Sequence, residues 1–264
     1  MKLSGLVFVS AMLFSTLVLA IRGGELAEDS RLLSEHPQNW ENGIVQIYAQ
    51  HSNTEKYVCT GSIVGTHLVL TSAHCFDTGH KLWKIKHNNG EFDVAEIGIH
   101  KDYQRQEVFD AYWNYLLEIR LHNDLALIKT QQPFPSTNDL PISAKFSADS
   151  NSEQDLFLVG FGQTEHLFGM GEGEGHLRIA GPLKLKGQQG KRIHLTNRPV
   201  GGCLGDSGGP LLSVIKKQIF IIGVLSQSDC MGTTTYQAVN PTMIVDQKYN
   251  WGPLVRRVAT IVKE

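Results

Sequence analysis

Residues 201–210 read Gly-Gly-Cys-Leu-Gly-Asp-Ser-Gly-Gly-Pro. Ser207 stands among glycines, whose missing Cβ atoms let backbone N–H groups come close to a bound molecule. Gly205 and Ser207 can aim two N–H donors at one point, where an oxyanion forms during acyl transfer. A serine hydroxyl is a poor nucleophile until a base lies within hydrogen-bond reach. Upstream, residues 71–75 (Thr-Ser-Ala-His-Cys) offer His74 as that base, and residues 123–129 (Asn-Asp-Leu-Ala-Leu-Ile-Lys) offer Asp124 to orient it. The order along the chain is His, Asp, Ser, with separations of 50 and 83 residues.

Around these stretches the chain reads as many short strands. Residues 44–48, 57–64, 67–71, 94–99, 125–129, 156–161, 210–214 and 219–225 are rich in β-branched or aromatic side chains, as strands are. Several alternate apolar with polar, whereas 219–225 is nearly all apolar, as for a strand between two packed layers. Asn88-Asn89-Gly90 reads as a turn. Near the C-terminus, Trp251, Leu254, Val255, Val258 and Val262 fall on one helical stripe, with Asn250 as a cap and Pro253 in the first turn. That pattern predicts a terminal helix closing an all-β body. Residues 111–121 fit helix and strand alike. The run Gly-Met-Gly-Glu-Gly-Glu-Gly at 169–175 reads as a loop; it has no G-x-G-x-x-G pattern and is no nucleotide cradle.

The 264 residues allow one or two domains, and 41% AVILMFWYC with 26 Gly and 9 Pro excludes collagen-like or disordered chains. With 24 basic against 26 acidic side chains, net −2, no field favours a nucleic-acid partner. Lys2, an apolar run from Leu6 to Leu19 and the small-residue end Val18-Leu19-Ala20 predict a secretory signal at 1–20, cleaved after Ala20. The run is short for a membrane span, so no membrane association is expected once it is removed. The mature chain would be 21–264, extracellular or periplasmic. Export places Cys59, Cys75, Cys203 and Cys230 in an oxidising compartment, where two disulfides are expected in any of three pairings. Neither C-x-x-C nor H-E-x-x-H occurs, so no metal site is expected, nor any cofactor.

The combination of GDSGGP, TSAHC and NDLALIK, with Ile21-Arg22-Gly23-Gly24 at the predicted mature end, resembles the trypsin/chymotrypsin family of serine endopeptidases over essentially the whole mature chain. The resemblance implies two packed six-stranded antiparallel β-barrels with the site in the cleft between them. It implies protein or peptide substrates, protein inhibitors as possible partners, and a monomer. His74 would act as general base and then general acid, with Asp124 fixing its tautomer. The N–H groups of Gly205 and Ser207 would form the oxyanion hole. Cys59 would pair with Cys75, and Cys203 with Cys230. Asp206 would receive the α-ammonium of Ile21, an end that signal cleavage itself would generate. The same resemblance puts Gly201 at the floor of the specificity pocket, where trypsin-like members carry aspartate, with Ser226, Ser228 and Thr234 along its walls. Ser226 would also support Asp124. An uncharged substrate side chain follows, unless Asp229 turns inward. The family's frequent extra disulfide is missing, leaving 177–200 held only by packing.

Two other classes share parts of this pattern. A silent homologue would use the same cleft to bind a partner without cleaving it. Esterases and lipases also use Ser, His and Asp, but on a parallel α/β sheet with the histidine last in the chain; here it comes first.

Overall fold

The computed structural model describes residues 21, 24–35, 39–51, 54–77, 80, 82–111, 116–135, 139–143, 155–163, 175–239, 252–253 and 260–263. The predicted signal at 1–20, most of the glycine-rich run and most of the predicted terminal helix lie outside these residues. The first half carries β1 (Glu25–Leu26), β2 (Ile44–His51), β3 (Thr54–Gly65), β4 (Leu68–Thr71), β5 (Leu82–His87), β6 (Gly90–Ile99), β7 (Gln104–Phe109), β8 (Leu116–His122) and β9 (Ala126–Thr130). The second carries β10 (Leu156–Gly160), β11 (Arg178–Leu183), β12 (Leu185–Gln189), β13 (Arg192–Thr196), β14 (Pro210–Ile215), β15 (Gln218–Ser228) and β16 (Thr233–Ala238). Two short strands, β17 (Gly252–Pro253) and β18 (Thr260–Lys263), follow.

Strands β6-β5-β2-β3-β4-β9 lie side by side, and β9 pairs back onto β6, closing a six-strand barrel. The sequence dictates this through alternation: Val45, Ile47 and Ala49 of β2 point inward with Ile63, Ile85 and Ile128, as a period of two requires. Burying a branched aliphatic side chain of this size contributes about 1.5–3 kcal/mol. The turn expected at Asn88-Asn89 joins β5 to β6, pairing His87 with Gly90.

The second half forms one sheet in the order β1-β11-β10-β14-β15-β16-β13-β12. Only Lys184 separates β11 from β12, so one ribbon lies beside β10 at one end and beside β13 at the other. Residues 177–200, expected to be held by packing alone, are thus also laddered into this sheet. Its core includes Leu158, Ile193, Leu211, Leu225 and Tyr236. A third apolar cluster joins the halves, with Ile44, Leu70, Leu125 and Leu127 meeting Phe157, Val159, Leu212, Ile221 and Val224.

The predicted terminal helix is corrected. Its described residues are extended: Gly252–Pro253 pair with Ile99 and Gly98, and Thr260–Lys263 run parallel to Gln106–Phe109. The β-branched run Thr260-Ile261-Val262 is stiff at χ1 and favours strand, and the open edge of β7 supplies backbone partners that an apolar stripe alone does not outweigh. Within the ambiguous stretch 111–121, the described residues from Leu116 on are strand, since Leu116–His122 pairs antiparallel with β7. Among the described residues no helix is long and apolar enough to cross a membrane.

Candidate active site

His74 lies in the one-turn helix Ala73–Phe76 directly after β4, and Asp124 in the loop joining β8 to β9. Asn123 takes a left-handed φ of 47°, which asparagine tolerates, and this turns the next residue inward. Asp124 is fully buried, with His74 Nδ1 2.7 Å from its Oδ2. The His74 backbone N–H donates to Oδ1 at 2.9 Å, and Ser226 Oγ of β15 donates to Oδ2 at 2.6 Å. An ionised carboxylate only accepts, so Nδ1 carries the imidazole proton and Nε2 is left as the basic nitrogen. Burial lowers the His74 pKa, but the Asp124 charge and hydrogen bond, helped by Asp77 and opposed by Arg105, leave it raised above its ordinary value.

Ser207 sits half-buried in the loop before β14. Its seat is made by β3. Thr60 N–H donates to the Ser207 carbonyl at 2.8 Å, and Thr60 Oγ1 donates to the Gly205 carbonyl at 2.9 Å. The preceding residue, Cys59, is disulfide-bonded to Cys75, the neighbour of His74. Two adjacent residues of one strand therefore hold the histidine turn and the serine loop in register. Gly208, at φ +81°, has no room for a side chain: a Cβ there would collide with Thr71 Oγ1 and the Thr60 carbonyl. Ser207 Oγ itself makes no hydrogen bond among the described residues, His74 included. Catalytic contacts of this kind are often loose before substrate binds. The second disulfide, Cys203–Cys230, is also formed. His74, Cys59 and Cys75 lie close enough to suggest a metal cluster, but both sulfurs are spent in the disulfide and neither is a thiolate.

Asp206 is completely buried. Gly162 N–H reaches its Oδ1 at 2.8 Å and Cys203 N–H its Oδ2 at 2.9 Å. A Cβ on Gly162 would fall 2.6 Å from the Asp206 carboxyl carbon, so the approach depends on glycine. Burial pushes the carboxyl up to about 7 against these two hydrogen bonds. Ile21 is buried in the core of the same sheet, and no hydrogen bond joins it to Asp206 among the described residues.

The pocket residues divide. A Cβ on Gly201 would meet the Gly232 backbone at 2.8 Å and Thr234 Oγ1 at 3.4 Å, so Gly201 and Thr234 face one another. Ser228 Oγ donates to the Gly202 carbonyl. The Ser226 hydroxyl is instead committed to Asp124. Asp229 is exposed and accepts from the N–H groups of Met231 at 2.7 Å and Thr233 at 2.9 Å, a local turn rather than a pocket floor. Burial raises its pKa, but the hydrogen bonds from Thr233 and Met231 together outweigh it and bring the carboxyl below the ordinary carboxylate value. Three features escaped the sequence reading. Tyr236 is fully buried, with a hydroxyl that has no hydrogen-bond partner among the described residues. Gln227 Nε2 donates to the Ile119 carbonyl of β8 at 2.5 Å, and Arg192 donates to the Leu121 carbonyl. These last two tie the β7–β8 hairpin to the second sheet across 108 and 71 residues of chain, and local pattern carries no signal for pairs so distant.

The family model described as Trypsin matches residues 34–246. Chymotrypsin-C of Mus musculus is 26% identical over 229 residues, covering 76% of this chain and 78% of that protein. CLIP domain-containing serine protease B4 of Anopheles gambiae is 26% identical over 206 residues, 64% of this chain and 54% of the relative. Tissue-type plasminogen activator of Homo sapiens is 25% identical over 243 residues, 78% of this chain and 40% of the relative. The chain thus spans about half or less of the length of several curated relatives it matches.

Proposed function

The chain belongs to the trypsin family of serine proteases, and on that premise we propose that it is an active secreted endopeptidase working through His74, Asp124 and Ser207. The observation that carries this is the buried Asp124 carboxylate, which takes three hydrogen bonds at 2.6–2.9 Å and leaves His74 Nε2 as a base beside the Ser207 loop. In the first half-reaction Ser207 Oγ bonds to the scissile carbonyl carbon while its proton passes to Nε2. Negative charge on the carbonyl oxygen is met by the N–H groups of Gly205 and Ser207, each donor lowering the barrier by roughly 2.7–4 kcal/mol. The imidazolium then protonates the leaving amine as the C–N bond breaks. Water, deprotonated by the same nitrogen, releases the acyl group.

The pocket supports an uncharged residue on the acyl side of the cut. Gly201 offers no carboxylate, Asp229 is engaged in its own turn, and a buried lysine or arginine without a counter-ion costs several kcal/mol. The test is cleavage of a peptide library by the folded, disulfide-intact protein. Cleavage after uncharged residues, with lysine and arginine disfavoured, is expected. No cleavage at all would replace this reading with the silent binding homologue.

Activation is assigned to the Ile21 α-amine, released when residues 1–20 are removed and paired with Asp206. A free α-amino group titrates near 7.7–8.0, and a buried carboxylate partner raises that value, so the pair is lost as pH rises through the raised pKa; on the acid side it needs Asp206 ionised, against the burial that pushes that carboxyl up. His74 must be neutral to act, and its raised pKa places the acid limb above the usual histidine value near 6.5. A pH–rate profile for kcat/KM should therefore be bell-shaped with a neutral to mildly alkaline top. Acetylating the Ile21 amine should lower activity at every pH. Full activity in the acetylated enzyme would remove Ile21 from this role.

A further inference from the structure

The His74/Asp124 pair has a second carboxylate beside it. Asp77 closes the histidine turn, its backbone N–H donating to the His74 carbonyl at 3.1 Å. Its side chain does not point freely into solvent. Asp77 Oδ2 accepts from the hydroxyl of Tyr103 at 2.6 Å and from Arg105 at 3.3 Å. Tyr103 is almost completely buried and lies within electrostatic range of Asp124 as well. Arg105, at the start of β7, divides its guanidinium between Asp77 and Glu107, the latter at 2.8 Å. The Asp77, Arg105 and Glu107 side chains are each less than a third exposed, so solvent does not fully screen them.

We propose that Asp77 is a positioning residue for His74: a second negative charge, fixed by Tyr103, balanced by Arg105 and held at the C-terminal end of the one-turn helix that carries the imidazole. This rests on the reading of His74 as the general base. Among the described residues, the charged and titratable groups that act on His74 are Asp124 from the β8–β9 loop, Asp77 from its own turn and Arg105 from β7. Asp124 and Asp77 favour the imidazolium; Arg105 disfavours it. Glu107 acts only by holding part of Arg105, and the Cys59–Cys75 disulfide does not titrate. Charge alone then makes two opposite predictions. Removing the Asp77 charge makes the imidazole easier to deprotonate, and removing the Arg105 charge makes it harder.

The experiment follows the His74 ring by nuclear magnetic resonance, titrating the mature protein, Asp77→Asn and Arg105→Met. Asparagine keeps an oxygen for the Tyr103 hydroxyl, and methionine keeps much of the arginine stem. The midpoint should fall by about 0.5 pH unit in Asp77→Asn and rise by a similar amount in Arg105→Met, as for a unit charge several Å away in a partly solvated site. The acid limb of kcat/KM should move in the same two directions. A merely structural role would broaden or abolish the signal, or shift both variants alike. Midpoints that stay put, or move in one direction, overturn the proposal. Should Asp77→Asn fail to fold, an unshifted Arg105→Met is enough to overturn it. The ring titration needs no turnover, so an inactive parent protein would defeat the proposed activity without deciding this question.

Discussion

A Ser207→Ala variant is expected to lose peptide hydrolysis by about 10⁶-fold in kcat, the scale found when the serine of such a triad is removed. The bond-forming oxygen is gone, and no neighbouring group replaces it: Thr60 Oγ1 is committed to the Gly205 carbonyl and Thr71 Oγ1 to the Thr60 carbonyl. Any residual rate would come from the oxyanion donors and substrate binding alone. The fold should survive, because the loop is held by its backbone, through the Thr60 N–H to Ser207 carbonyl bond and the Gly208 N–H to Leu225 carbonyl bond. Circular dichroism and thermal unfolding close to the parent, with turnover at background, is the expected pair of results. Retained hydrolysis in this variant would mean that another nucleophile does the chemistry.

Asp124→Asn is expected to lower kcat by about 10⁴-fold. Asp124 receives three donors on two oxygens: the His74 N–H on Oδ1, and His74 Nδ1–H with the Ser226 hydroxyl on Oδ2. Asparagine has one accepting oxygen. If its oxygen meets the His74 backbone N–H, its amide N–H₂ faces Nδ1 and forces the proton to Nε2, the tautomer that cannot take a proton from Ser207. If the amide turns round, it confronts the backbone N–H instead. Either way the imidazolium formed during reaction loses its buried counter-charge. Kinetics should show the loss in kcat with a smaller change in KM. A variant within tenfold of the parent would show that His74 does not depend on Asp124.

Much of this is legible in the sequence. Glycine spacing around Ser207, and the His, Asp, Ser order, located the groups that come together. Runs rich in β-branched or aromatic side chains locate β2, β3, β4, β6, β9, β10, β14 and β15. Weaker strands were missed for a physical reason: β12, Leu-Lys-Gly-Gln-Gln, is mostly exposed, so its sequence carries little imprint of a core, and its pairing with β13 decides its state. The terminal stripe misled because periodicity reports which residues would share a face, not whether a sheet edge competes for the backbone. The Gln227–Ile119 and Thr60–Gly205 contacts join segments 108 and 145 residues apart, beyond the reach of any local pattern. Ser226 is the instructive mixed case: the resemblance implies both a pocket wall and a support for Asp124, and its hydroxyl is committed to Asp124.

The proposed catalysis turns on Ser207 being an activated nucleophile next to a neutral His74. A fluorophosphonate forms a P–O bond with such a serine and expels fluoride, and the modified residue is then found by peptide mass spectrometry. Stoichiometric label on Ser207 of the mature protein, absent from Ser207→Ala and slowed in Asp124→Asn, is the result expected. A folded, disulfide-intact protein that takes no label, or takes it on a different residue, would contradict it.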